Sequence, residues 1–96
     1  GAIEDYNQVL RLNPNDALAY YNRGIARNEL GDKKGAIEDY NQALRLNPNY
    51  ANAYITRGNV RRELGNKKGV IEDYNQALRL NPNYANAYNN RGIARS

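Results

Sequence analysis

The eighteen residues IEDYNQALRLNPNYANAY occur at 37–54 and again, letter for letter, at 71–88, and a near copy, IEDYNQVLRLNPNDALAY, occupies 3–20. The offset is 34 residues each time. A period of this length constrains the fold more than any other feature. It is long enough for one supersecondary unit and too short for an independent core. Each unit must therefore bury its apolar side against its neighbours, and the chain must be a stack.

The unit 17–50 reads ALAYYNRGIARNELGDKKGAIEDYNQALRLNPNY. Its first part predicts a helix over 17–30, with Asn15 or Asp16 as N-cap, because a short polar side chain accepts from the free first-turn amides. Gly31 follows and can take the left-handed conformation that ends a helix. Asp32 then offers a cap for a second helix over 33–47, which Pro48 stops because it has no amide to donate. In the second helix Ala36, Ile37, Tyr40, Ala43 and Leu44 fall at i, i+1, i+4, i+7 and i+8, one face of a 3.6-residue period. In the first helix Ala19, Tyr20, Gly24, Ala26 and Leu30 share a side, and the small residues let backbones approach. Repeating the reading gives further helices over 1–13, 51–64, 67–81 and 84–96. The expectation is an all-α solenoid of stacked antiparallel helix pairs, six helices in a single array over 1–96. Because it opens on Gly1 in mid-pattern, the chain reads as a fragment or a processed or engineered product.

What the composition lacks bears on function. There is no His, Cys, Met, Trp or Phe; Ser96 is the only serine and Thr56 the only threonine. Without Cys there is no disulfide, thiolate nucleophile or zinc cluster. Without His the commonest general base and metal ligand is missing. Paired carboxylates such as Glu38 and Asp39 are adjacent on a helix and point different ways, a poor arrangement for acid–base work. No enzymatic activity, cofactor or metal is expected. The apolar runs are too short to span a bilayer, so no membrane association is expected and a cytoplasmic location is. The net charge of +4 is modest. Lys33, Lys34, Lys67 and Lys68 lie at inter-helix turns rather than along one groove, which disfavours nucleic acid as a partner.

The unit resembles the tetratricopeptide repeat, a 34-residue helical pair with the pattern W-x2-L-G-x2-Y, A-x3-F, P. The corresponding residues here are Tyr20, Arg23, Gly24, Arg27, Ala36, Tyr40 and Pro48, then Tyr54, Arg57, Gly58, Arg61, Val70, Tyr74 and Pro82. The resemblance covers the whole chain and implies a right-handed superhelix. Arg23, Arg57 and Arg91 depart from the usual Leu, and Arg27, Arg61 and Arg95 from the usual Tyr. A partly buried arginine needs an anion. Asp39 and Asp73 are the expected partners of Arg23 and Arg57, and Asp5 is expected to serve a first-helix arginine from the neighbouring side. The result would be an Arg–Asp ladder linking helices.

The copies differ in a pattern. Residues 1–34 and 35–68 differ at nine positions, and most of these fall on the first helix. With Ala17 as position one, the variable places are 2, 5, 6, 9, 10 and 12. Positions 2, 5, 9 and 12 make a single helical stripe. By the resemblance, this stripe lines the concave groove where peptides bind. The candidate peptide-binding residues are Leu18, Tyr21, Asn22 and Ile25, then Asn52, Ile55, Thr56, Asn59 and Arg62, then Asn86, Asn89, Asn90 and Ile93. Exposed apolar residues along one stripe mark a contact surface, and Asn can pair with a peptide backbone whatever its sequence. Some relatives hold an extended chain with an Asn ladder at position 6; here Thr56 interrupts it between Asn22 and Asn90. Others clamp a C-terminal carboxylate with Lys and Arg where this sequence has Tyr21, Asn86 and Asn90, so chaperone-tail binding is not expected.

The leading expectation is thus a non-enzymatic scaffold that binds a polypeptide segment of another protein. A rival reading is a structural unit that stacks head to tail. The first residues are a second-type helix carrying interior sequence at Ala2, Tyr6 and Val9. The last are a first-type helix carrying it at Tyr88 and Gly92. Such ends complement each other, and a contact of that kind does not close.

Overall fold

In the computed structural model, residues 1–82 are described. They form five helices: α1 (Ala2–Leu12), α2 (Ala17–Glu29), α3 (Lys33–Leu46), α4 (Ala51–Glu63) and α5 (Lys67–Leu80). The sixth expected helix, 84–96, lies outside the described residues. α2 packs against α3 and α4 against α5 as antiparallel pairs, and α1 and α3 each pack against the helix that follows. This is the stack that the 34-residue period demands.

Local chemistry sets the boundaries. Asp16 is the N-cap of α2, accepting from the Ala19 amide at 3.1 Å. Asp32 does the same for α3 through the Gly35 amide at 2.9 Å, and Asn66 for α5 through the Gly69 amide at 3.0 Å. α2 ends with Leu30 as C-cap and Gly31 at φ +90°. The Asp32 amide donates to the Arg27 carbonyl at 2.8 Å and the Gly31 amide to that of Asn28 at 3.0 Å. This paired closure satisfies the last carbonyls and needs a residue without a Cβ at the left-handed position. Gly65, at φ +82°, repeats it after α4. The second-type helices end differently. Asn13, Asn47 and Asn81 leave the helical region, as expected for a residue that precedes proline.

The core runs between the pairs. Ala36, Tyr40 and Val60 form one buried cluster, with Tyr21, Ile25 and Ile37 packed against it. Ala43, Leu44, Ala53, Val70, Tyr74 and Ala77 extend it, with Ala19 and Leu10 toward the start of the chain. The ring of Tyr40 lies so close to α2 that a Cβ on Gly24 would sit 2.5 Å from Cε1. The glycine is what lets the fully buried tyrosine fill the space between the helices. Leu30, expected on the packed side of α2, is instead 76% exposed. As the C-cap it has already left the helical stripe.

Candidate functional site

Two faces of the stack carry polar chemistry, and the invariant residues build the first. Asp39 is 2% exposed and Asp73 1%. Arg23 donates to both oxygens of Asp39, at 3.0 and 2.8 Å, and Arg27 reaches the same carboxylate at 3.2 Å. One repeat on, Arg57 holds Asp73 through 3.1 and 2.7 Å contacts, and Arg61 joins at 3.0 Å. Arg23 also donates to Asn7 Oδ1 on α1 at 2.8 Å, as Arg57 does to Asn41 on α3 at 2.7 Å. Each first-type arginine thereby ties its own pair to the preceding second-type helix. The hydrogen bond to Asp39 raises the Arg23 pKa, and burial offsets part of the rise. Arg23 further lies over the Tyr20 ring, 5.4 Å from its centroid, and Arg57 over Tyr54 at 5.5 Å, a favourable placement for a guanidinium.

The Arg–Asp pairing expected from sequence is therefore present, with two corrections. The neighbouring-side partner of Arg23 is Asn7 and not Asp5, which is exposed. The reason is register: Asp5 occupies in α1 the place that Asp39 and Asp73 occupy in α3 and α5, facing away from α2. Sequence reasoning also missed that Arg27 and Arg61 share the carboxylates. Their i, i+4 spacing from Arg23 and Arg57 was the available signal. With each of these arginines paired to a buried carboxylate, the ladder is a structural element linking the helices.

The variable stripe of α2 and α4 forms the second face. Leu18 is 57% exposed and Asn52 is exposed. Tyr21 is half-buried, its ring 5.9 Å from that of Tyr40 and 4.9 Å from that of Tyr50. The Thr56 hydroxyl donates to the Asn52 carbonyl at 2.8 Å. Its single proton is thus committed, so the Tyr21 hydroxyl donates to Thr56 Oγ1, at 3.0 Å. This bond joins α2 directly to α4. Burial, with Tyr21 and Asp16 nearby, raises the Tyr50 pKa. Ile25 packs on the core cluster, and Asn22 and Ile55 are half-buried. Asn59 accepts a hydrogen bond from the Tyr74 hydroxyl. Arg62 is exposed at the far end. Of the candidate residues, then, Leu18, Tyr21, Asn22, Asn52, Ile55 and Thr56 come together on one face. Ile25 and Asn59 turn partly inward, and Asn86, Asn89, Asn90 and Ile93 lie outside the described residues.

Among the described residues no group of three or more His, Cys, Asp or Glu side chains could hold a metal ion. No helix there is long and apolar enough to cross a membrane.

Comparison with known proteins agrees with this geometry. The sequence pattern described as "Tetratricopeptide repeat" matches residues 17–50, and a "TPR repeat" pattern matches 1–31 and 58–95. No curated protein matches. Among solved structures, the chain is similar to MamA, with 33% identity and a TM-score of 0.87 over 96% of this chain and 54% of that one. It is similar to the first TPR of Spaghetti (RPAP3) bound to the HSP90 peptide SRMEEVD, with 32% identity and a TM-score of 0.86 over 97% of this chain and 75% of that one. The Arabidopsis OM64 TPR domain matches with 32% identity and a TM-score of 0.79, over 83% of this chain and 66% of that one. The chain spans about half the length of the MamA structures. A 34-residue period, helix pairs stacked through Gly24 and Tyr40, and these matches together place the chain in the tetratricopeptide-repeat family.

Proposed function

We propose that the chain is a non-catalytic interaction scaffold that lays an extended polypeptide segment of another protein across the face of α2 and α4. The observation that carries this reading is the mixed stripe of exposed Leu18 and Asn52 and half-buried Tyr21, Asn22 and Ile55, made continuous between repeats by the Tyr21–Thr56 hydrogen bond. Its chemistry favours a ligand with apolar side chains and an available backbone. Leucine and isoleucine supply apolar area, and the asparagine amides supply both donors and acceptors to a peptide group. Arg62 is the one charged side chain among the candidate residues. A carboxylate-rich tail such as SRMEEVD, bound by the first TPR of Spaghetti (RPAP3), finds no lysine here. Tyr21 stands at the position where the resemblance places one of the clamp lysines.

The test is a peptide-array screen followed by titration calorimetry on the selected sequences. Leu18→Ser and Asn52→Ala alter exposed side chains, and circular dichroism verifies that both variants are folded. Each is expected to weaken binding of a selected peptide by about tenfold, the equivalent of about 1.4 kcal/mol. SRMEEVD is expected not to bind. Selected peptides that bind both variants as tightly as the parent would refute the assignment of this face.

A further inference from the structure

Along the outer edge of the Arg–Asp ladder, the second-type helices carry charge that is not answered within the described residues. On α3, Glu38, Gln42 and Arg45 fall at i, i+4 and i+7, one stripe of a helix. Glu38 and Arg45 are exposed and Gln42 is half-buried. Both α2 and α4 pack on α3, so this stripe is what stays open once the helix has a neighbour on each side. It recurs on α5 as Glu72, Gln76 and Arg79, with the same exposures. Arg45 Nε donates to Gln42 Oε1 at 2.9 Å, which holds the guanidinium along the stripe. Among the described residues no ion pair engages Glu38, Glu72, Arg45 or Arg79, whereas Arg23, Arg27, Arg57 and Arg61 are all paired. Within one helix the two charges of a stripe stand about 10 Å apart along the axis, outside the spacing at which side chains on a helix meet. A polar cleft of about 540 Å3 runs along Glu38 and Gln42, and its counterpart of about 460 Å3 along Glu72, Gln76 and Arg79. Each leaves room for an incoming side chain beside the carboxylate.

A stripe that is negative at one end and positive at the other is complementary to itself reversed. We propose that these stripes meet those of a second copy in an antiparallel, twofold dimer, with Glu38 of each copy against the partner's Arg45 and Glu72 against the partner's Arg79. Laying α3 on its own copy head to tail answers both ends of the stripe at once, whereas a parallel arrangement sets Glu38 on Glu38. The 34-residue period brings α5 into the same register, because its Glu–Arg spacing repeats that of α3. Like groups that would clash in any other alignment also fix this one. The contact is isologous, so it closes at two copies and does not propagate. It uses no residue of the α2 and α4 stripe, and it stands or falls independently of peptide binding there. Exposed ion pairs are individually weak and are screened by salt, so the dimer is a weak, salt-sensitive one.

Sedimentation velocity on the 96-residue chain, from about 10 μM to about 1 mM, a range that covers weak contacts, tests this directly. At low salt the mean mass is expected to rise toward twice that of the monomer and no further. Raising the salt to about 0.5 M should weaken association at least tenfold. A chain with Glu38→Arg and Glu72→Arg sets like charges against each other and should stay monomeric. Adding Arg45→Glu and Arg79→Glu to that chain restores both the net charge and the complementarity, and should restore the dimer. The milder pair Arg45→Gln and Arg79→Gln, which keeps the side chains polar, should weaken association at least fivefold. Circular dichroism verifies that each variant is folded. A single monomer boundary at the highest concentration and low salt overturns the proposal, as does a mass that grows past the dimer. So does a folded charge-exchanged chain that stays monomeric, or association that Arg45→Gln and Arg79→Gln leave unchanged.

Discussion

Tyr40 and Tyr74 occupy the same place in successive repeats, and both are buried. Their hydroxyls have different fates. That of Tyr74 donates to Asn59 Oδ1 on α4. That of Tyr40 is buried with no hydrogen-bond partner, because Ile25 stands where its repeat has Asn59. Removing each hydroxyl by substitution to phenylalanine should therefore have opposite consequences. A buried polar group without a partner costs about 1–3 kcal/mol, whereas a made hydrogen bond contributes about 0.5–1.5 kcal/mol. Tyr40→Phe deletes a cost and should leave stability unchanged or raise it, by at most about 1 kcal/mol after the lost oxygen contacts are counted. Tyr74→Phe deletes a bond and strips Asn59 of one donor, and should destabilise by about 1 kcal/mol. For a chain of this size a difference of about 1–2 kcal/mol between the two variants separates their melting temperatures by roughly 5–15 °C. Thermal unfolding followed by circular dichroism at matched concentration reads this difference. If Tyr40→Phe loses as much stability as Tyr74→Phe, the Tyr40 hydroxyl is satisfied, and the argument from Ile25 is wrong.

Four other outcomes follow from the same contacts. Burial pushes the Tyr40 pKa up, with smaller contributions from Tyr21 and Asp39. The unfolded tyrosine ionises near pH 10, and the folded one holds its proton to higher pH. Its contribution is therefore complete below about pH 10 and is lost as pH rises toward the folded value; alkaline unfolding of Tyr40→Phe should begin at higher pH than that of the parent. Asp39→Ala leaves Arg23 and Arg27 facing each other without an anion and should cost about 3–5 kcal/mol, enough to be seen as loss of the urea transition baseline. Arg27→Leu keeps the two bonds from Arg23 to Asp39 and should cost clearly less in the same titration. Tyr50→Asp would give α4 the side-chain cap that Tyr50 does not make, worth about 1 kcal/mol, while removing the ring contact with Tyr21, worth about the same. Its melting temperature should stay within a few degrees of the parent, and a large fall would show that the Tyr21–Tyr50 contact outweighs the cap.

Much of the architecture was legible because it depends on local, repeated signals. Asp16 and Asp32 as caps, Gly31 as a stop, and the alanine, glycine and tyrosine spacing each act within a turn or two. The 34-residue period then dictates the stacking. Asp39 and Asp73 could be matched to Arg23 and Arg57 because burying a guanidinium demands a nearby carboxylate. The expected role of Asp5 failed because spacing alone does not say which side of a helix meets which neighbour. Asn7, two residues on, faces α2, and Asp5 faces away from it. The shared use of each carboxylate by Arg27 and Arg61 was signalled only by their i, i+4 spacing from Arg23 and Arg57. It depends on how far a long side chain reaches across a helix pair.

The variable positions teach a sharper lesson. Read from sequence, four of the six variable places on the first helix form one stripe, and variation along a stripe suggests a ligand. In three dimensions they divide. Tyr21 pairs with Thr56 and stacks on Tyr50, so three of the differences between copies belong to one junction between repeats. Ile25 and Asn59 differ together with the fate of the buried tyrosine hydroxyl that each one meets. Ala26 and Val60 differ at the edge of the core, where Val60 is almost wholly covered and Ala26 lines an open cleft. These substitutions are coupled to packing, and changing one without its neighbour should disturb the stack. Leu18 and Asn52 differ as well, and both are exposed. At position 2 of the repeat both copies present the differing side chain to solvent. It is there that a ligand, if it selects among side chains, has the most freedom to have shaped the sequence.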